Sequence, residues 1–277
     1  MNEITISDED FEKFREFFYR KTGIQFEATK RYFVDKRLIE RVAATGHDSF
    51  RSYFTFVRFQ ASSEELQHLT NLMTVNETYF FREEYQFQCL VRSILPALVK
   101  TKRDSSPVRI WVIPSSSGEE PYSIAIYLLE HWAGIHQWDV EIVASDIDTK
   151  ILAQAQAGIH SARSVKDLPP RILSTYFKLV PTGYQICEDL RNSIKFTRVN
   201  LAERSDTRSY CNFDVVFCRN LLIYFDDVSR RTAAEMLFES LNSGGYICLG
   251  HSESMSRISP LFRVRKFPEA IVYQKPN

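Results

Sequence analysis

The sequence has no excess of either charge: 35 lysines and arginines are matched by 35 aspartates and glutamates. A protein that works by neutralising nucleic-acid phosphates normally shows a basic surplus, so that class is disfavoured. No apolar stretch reaches the roughly 20 residues of a membrane span. The amino-terminal MNEITISDED carries neither the basic nor the apolar region of a signal peptide. The five cysteines (Cys89, Cys187, Cys211, Cys218 and Cys248) are odd in number and never spaced CxxC, which argues against a disulfide framework or a zinc site. Internal repeats and low-complexity tracts are also missing. A cytoplasmic, globular protein is the expectation. Its 44% apolar and 25% charged residues suit a packed core and not disorder, and 277 residues suit about two domains.

The first 75 residues read as helices. Ser7 and Asp10 resemble a capping box, and Phe11, Phe14, Phe17 and Phe18 follow on one stripe. Gly23, after Arg20 and Lys21, suits a helix end. A second helix is expected from an N-cap at Thr29 to Gly46, with Phe33, Leu38, Ile39 and Val42 inward; a third spans Ser49 to Gln60; a fourth opens on Ser62 and Glu65. The second helix carries Lys30, Arg37 and Arg41 on one stripe, interleaved with Asp35 and Glu40. That stripe is either a solvated charged face or a docking surface for an acidic partner.

From Arg109 the pattern changes to short β-branched runs (109–113, 140–145, 194–199, 213–218, 246–250 and 270–274) with helical segments such as 120–132 and 226–241 between them. Such alternation predicts an α/β domain with a mostly parallel sheet, closed by an antiparallel hairpin across Pro268-Glu269. The alternation lapses over about 160–193, where a hairpin turning at Thr182-Gly183 suggests a small inserted β-subdomain.

The predicted strand ends carry the candidate chemistry. After the first comes Ser115-Ser116-Ser117-Gly118-Glu119-Glu120-Pro121, a strand-to-helix cofactor loop holding two carboxylates where a phosphate cradle would hold a lysine. A pyrophosphate would be repelled there. A cationic, phosphate-free ligand such as S-adenosylmethionine would not be, although the two acids also suit a helix start. The second strand ends in Asp146, placed for a ribose diol, and then Asp148, equally readable as an N-cap. The third and fourth end in Asn200-Leu201 and Cys218-Arg219. Ahead of the domain, Asn76-Glu77-Thr78-Tyr79-Phe80-Phe81-Arg82-Glu83 would place Thr78 and Arg82 on one helical face, with Arg82 either an ion-pair anchor or a carboxylate clamp.

Taken together, NETYFFRE, SSSGEEPYSIAI, ASDID with AQAGIH, and FCRNLLIYFD resemble the CheR family of chemotaxis receptor methyltransferases. The resemblance implies a Rossmann-like S-adenosylmethionine-dependent methyltransferase domain over 76–277, with the inserted β-subdomain at about 160–193. A small all-α domain over 1–75 precedes it. It implies methyl transfer to glutamate side chains of chemoreceptor cytoplasmic helices, by a metal-free monomer with no role for nucleic acid. Residue by residue, it implies that Asn76, Thr78 and Arg82 line the cofactor, Glu120 holds its ammonium and Asp146 its ribose. Asn200, Leu201, Cys218 and Arg219 complete the pocket, and Tyr224 stands with Arg82 near the reacting sulfur. Pro114 and Ser115 replace smaller residues usual in the family, and the inserted hairpin is short for a peptide dock. The acceptor carboxylate, with a reference pKa of about 4.3, is ionised at neutral pH and needs no general base. A non-catalytic adaptor, or a methyltransferase acting on another protein or a small carboxylate, would use the same pocket.

Overall fold

In a computed structural model the described residues are 4–102 and 106–277; the first three residues of the amino-terminal stretch lie outside them. Helix α1 (Asp8–Thr22) starts where the Ser7 side chain accepts from the Asp10 N–H and ends on Gly23 in the left-handed region. It packs through Phe11, Phe14 and Phe18 against α2 (Arg31–Ala44), α3 (Phe50–Phe59) and α4 (Ser63–Met73). Phe17 is only partly buried. Helix α2 begins later than Thr29, which lies in a 3-10 turn over Ala28–Lys30. Its buried stripe is Val34, Leu38 and Val42, with Phe33 and Ile39 on the flanks. The expected capping box of α4 does not form. Ser62 makes no side-chain cap: the Glu65 N–H donates to the Ser62 carbonyl (3.2 Å), and the Glu65 carboxylate turns inward to accept from Arg41 Nε (3.0 Å), Arg41 Nη2 (2.5 Å) and the Tyr53 hydroxyl (2.6 Å).

A non-helical segment, 74–79, leads to α5 (Tyr85–Cys89), continued through a π-helical turn (Leu90–Ile94) into α6 (Leu95–Val99). Then follow β1 (Val108–Val112), α7 (Glu119–His131), β2 (Val140–Asp146) and α8 (Thr149–Ala157). The insertion holds β3 (Ile159–His160), α9 (Ala162–Val165), α10 (Pro170–Tyr176), β4 (Phe177–Val180), β5 (Gly183–Ile186) and α11 (Glu188–Ser193). The chain closes with β6 (Ile194–Arg198), α12 (Arg204–Thr207), β7 (Phe213–Cys218), α13 (Asp227–Ser240), β8 (Leu241–Leu249), α14 (Met255–Ile258), β9 (Arg263–Lys266) and β10 (Ile271–Gln274).

The large sheet has the order β6-β2-β1-β7-β8-β10-β9. Strands β6, β2, β1, β7 and β8 are parallel; the β9–β10 hairpin adds to β8 antiparallel. Side chains alternate between two cores. Ile110 and Val112 face the layer of α5, α6 and α7, while Trp111 and Ile113 face the layer of α13. The chain reverses direction across the sheet at β1, so the carboxyl ends of β1, β2 and β7 open a crevice there. The insertion is a separate small sheet, β3-β5-β4. Its hairpin turns one residue earlier than expected, on Pro181-Thr182, because Gly183 already pairs with Val180. Gly183 has φ +144, and a Cβ there would lie 2.3 Å from the His160 carbonyl oxygen, which leaves room for glycine alone.

Candidate active site

The crevice is a cavity of about 480 Å³ closed by both domains, within the range of small-ligand sites. One wall comes from the strand ends and from 74–82; the other comes from Thr22, Ile24, Gln25, Phe26, Lys30 and Phe33. The domains are joined at its rim. Asn200 Nδ2 donates to the Lys21 carbonyl (2.7 Å) and Gln25 N–H to the Tyr224 carbonyl (3.1 Å). On the far side Gln67 Nε2 donates to the Ile147 carbonyl (2.8 Å).

The loop after β1 is held in shape by its own backbone. Ser116 is left-handed (φ 48) and its N–H donates to Asp146 Oδ2 (2.8 Å). Gly118 has φ 96, and a Cβ there would meet the Tyr122 ring at 2.9 Å. The two glutamates that follow part company. Glu119 is buried away from the cavity, where its carboxylate accepts from Ser117 Oγ and Ser164 Oγ (both 2.6 Å) and contacts His160 Nδ1 (3.2 Å). Glu120 lines the cavity and accepts from Arg219 Nη1 (2.8 Å).

Arg219 is almost wholly buried. Its Nη2 donates to the Arg82 carbonyl (2.6 Å) and meets the Glu83 carboxylate at 3.2 Å, and its guanidinium lies over the Phe87 ring. Burial pushes the Glu120 carboxyl up, and Arg219 only partly offsets this. Asp146 is buried too; burial pushes its pKa to about 6 although backbone N–H groups of Asp148 and Ser116 donate to it. Asp148 caps α8 through the Lys150 and Ile151 N–H groups, and its second oxygen accepts from Thr74 Oγ1 (2.6 Å) and Asn76 Nδ2 (2.9 Å). On the more open side stand Arg82, whose Nη1 donates to the Glu77 carbonyl (3.1 Å), and Tyr224, 39% exposed. Burial raises the Tyr224 phenol above its usual value, so at neutral pH it is a hydroxyl donor.

With this geometry in view, the comparisons with known proteins are specific. The family described as CheR methyltransferase, all-alpha domain, matches residues 9–74, and CheR methyltransferase, SAM binding domain, matches residues 76–271. The chain belongs to the CheR family. It is 57% identical to chemotaxis protein methyltransferase 2 of Vibrio cholerae, covering all of this chain and 96% of that one. It is 33% identical to the chemotaxis protein methyltransferase of Salmonella typhimurium over 95% of this chain and 89% of that protein. With chemotaxis protein methyltransferase 2 of Pseudomonas aeruginosa it shares 36% identity over 92% and 90%.

Most of the residues expected from the CheR motifs meet in the cavity: Asn76, Thr78, Arg82, Glu120, Asp146, Asn200, Leu201, Arg219 and Tyr224 all line it. Their placement departs from expectation in four respects. Thr78 and Arg82 do not share a helix; Thr78 lies in non-helical chain and Arg82 in a turn with Phe81 and Glu83 left-handed (φ 58 and 55). Cys218 does not line the cavity: strand alternation sends it into the apolar layer with Trp111 and Leu237. Arg37 and Arg41 are not free docking cations. Arg37 donates to the Leu72 carbonyl (2.6 Å) and covers the Phe33 ring, and Arg41 is taken by Glu65. Only Lys30 of that stripe reaches the cavity. Asn200, finally, uses its side chain on Lys21 and Ala202, so it builds the rim.

One contributor carried no sequence signal of its own. Glu253 accepts from the N–H groups of Asn220 (2.8 Å), Leu222 (2.8 Å) and Gly250 (2.9 Å), fixing the loop that presents Arg219 and Tyr224. Its neighbour His251 contacts Glu83 Oε1 through Nδ1 (2.8 Å). The helical-domain wall (Gln25, Phe26, Phe33) looks in sequence like ordinary bundle.

The donor set fits S-adenosylmethionine. Buried hydroxyls of Ser115 and Ser116 have no protein partner, the loop around them lacks lysine, and four carboxylates (Glu27, Glu77, Glu120 and Asp146) line the cavity. A diol and a cation suit this set, and a polyphosphate does not. Among the described residues no group of three or more His, Cys, Asp or Glu side chains is placed to hold a metal ion. No helix there is long and apolar enough to cross a membrane.

Proposed function

We infer that this protein is an S-adenosylmethionine-dependent glutamate O-methyltransferase acting on the cytoplasmic helices of chemoreceptors. The observation that carries this reading is the division of the cavity. Its inner side holds Glu120, Asp146 and a neutralised Arg219, while Arg82 and Tyr224 stand together on the more open side. S-adenosylmethionine supplies an electrophilic methyl group on a cationic sulfur. Glu120 holds the ammonium end, Asp146 accepts from ribose hydroxyls, and Ile147, Val199 and Leu201 offer an apolar wall for the base.

Arg82 pairs with the incoming carboxylate and aligns one oxygen with the methyl group; Tyr224 donates a hydrogen bond beside it. No proton is moved, since the acceptor is already ionised. Neutralisation of cation and anion in the transition state favours a site with little water, and alignment alone supplies up to ~7–11 kcal/mol of barrier reduction. Lys30, at the cavity edge, meets the acidic surface of the receptor helix. The enzyme works in the cytoplasm as a monomer, without nucleic acid.

The test is methanol release from receptor-containing membranes with methyl-labelled cofactor, alongside calorimetric titration. The wild-type protein is expected to leave base-labile methyl esters on the receptor, which release labelled methanol on alkaline hydrolysis. The Arg82→Ala variant should lose turnover by about 100-fold while keeping most of its affinity. Tight cofactor binding without methanol release would make the protein an adaptor. Normal turnover by Arg82→Ala would remove the clamp from the mechanism.

A further inference from the structure

Arg219 lies between two carboxylates. Glu120 lines the cavity, whereas Glu83 lies behind the guanidinium, outside the cavity lining. If both carboxylates are ionised, the trio carries one negative charge in excess. Glu83 is held there at a cost: it is a non-glycine residue in the left-handed region, a conformation that persists only where its surroundings enforce it. Enforcement comes from four contacts: Arg219, His251 Nδ1 (2.8 Å), Gln86 Nε2 (2.8 Å) and the Tyr85 hydroxyl (3.1 Å).

We propose that Glu83 is a positioning residue which, by sharing Arg219 with Glu120, makes the inner end of the cavity more negative than Asp146 alone would and so raises its preference for a cationic sulfonium over a neutral thioether. The inference rests on reading the cavity as the cofactor site. S-adenosylmethionine differs from S-adenosylhomocysteine by one positive charge at sulfur, and a negative excess nearby acts on that difference through space. Were Arg219 paired with Glu120 alone, the two would cancel. The charge behaviour agrees with this division. Burial acts to raise Glu83, but Arg219 and His251 outweigh it and hold the carboxyl below its usual range. Burial raises Glu120, and the Glu83 charge adds to that rise. The other charged groups facing Glu120 are Arg219 and Arg82. The thiols of Cys218 and Cys248 also sense it but are pushed far up by burial and stay neutral.

The experiment is calorimetric titration of the full chain with S-adenosylmethionine and S-adenosylhomocysteine between pH 5 and 8. In Glu83→Gln both ligands should bind more weakly, because both carry the ammonium that Glu120 holds, and the sulfonium should lose about threefold more affinity than the thioether. His251→Lys changes a side chain that is 67% exposed and sets a permanent cation beside Glu83. It should shift the ratio in the same direction by about twofold. Equal weakening of both ligands, or an unchanged ratio, overturns the proposal. If Glu83→Gln does not fold, an unchanged ratio in His251→Lys does so alone. A wild-type protein that takes up neither ligand would instead overturn the reading of the cavity.

Discussion

Two arginine–glutamate pairs, one in each domain, look alike in chemistry and differ in use. Arg41 and Glu65 join α2 to α4 with two hydrogen bonds, and Tyr53 closes over them. There burial acts to raise the Glu65 carboxyl, but the hydrogen bonds from Arg41 and Tyr53 hold it below its usual range. Arg219 and Glu120 share one hydrogen bond, and the Glu120 carboxyl ends up raised. The first pair is internally complete. The second is short of positive charge and faces a cavity. A buried ion pair that satisfies itself holds helices together; one left incomplete is available to a ligand.

That contrast can be broken by removing either carboxylate. Glu65→Ala strands Arg41 and should cost about 3–5 kcal/mol of stability in denaturant unfolding, while the remaining folded protein binds cofactor normally. Glu120→Ala should leave the melting temperature nearly unchanged, because Glu83 still accompanies Arg219, yet weaken cofactor binding by about 100-fold in calorimetry. If the two variants exchanged these phenotypes, the division between packing pair and ligand pair would be wrong.

Acidification sharpens the comparison. Asp146, pushed up to about 6 by burial, has a folded value above its unfolded one. Ionised Asp146 therefore opposes folding, and the unliganded protein gains stability from this group as pH falls from about 6 toward the unfolded value near 4. Cofactor affinity moves the other way, because a protonated Asp146 no longer offers two acceptors to a diol. Affinity should fall up to about tenfold per pH unit below 6, measured by calorimetry at pH 5, 6 and 7. Smallest is the effect expected at the helical wall: Lys30→Glu should slow receptor methylation a few-fold, without altering cofactor affinity. Arg37→Glu should lower stability instead, since its guanidinium is bonded to the end of α4.

The strand-end residues were legible because an open α/β sheet places its strand tips at one crevice, so local sequence around Glu120, Asp146 and Arg219 already carries their address. The basic stripe of α2 was misread for the opposite reason. A heptad-like spacing says that Arg37 and Arg41 share a face and says nothing about whether that face meets water or α4. Capping followed the same rule. Ser7 could be assigned because its partner is three residues away, whereas Glu65 was taken for a cap partner when its real partners lie 24 and 12 residues distant.

Sequence alone therefore determined the family, the helical domain followed by an α/β domain with an insertion, and nearly all of the acidic cavity. Those depend on periodicity and on motifs read within a few residues. Only the tertiary structure decided that Glu119 is bonded to His160 and Ser164 away from the cavity, that Cys218 turns into the core, that Glu253 holds the loop after β7, and that the helical domain supplies part of the cavity wall. Each of these depends on pairs brought together from distant parts of the chain, where burial and electrostatics select among contacts that spacing leaves equivalent.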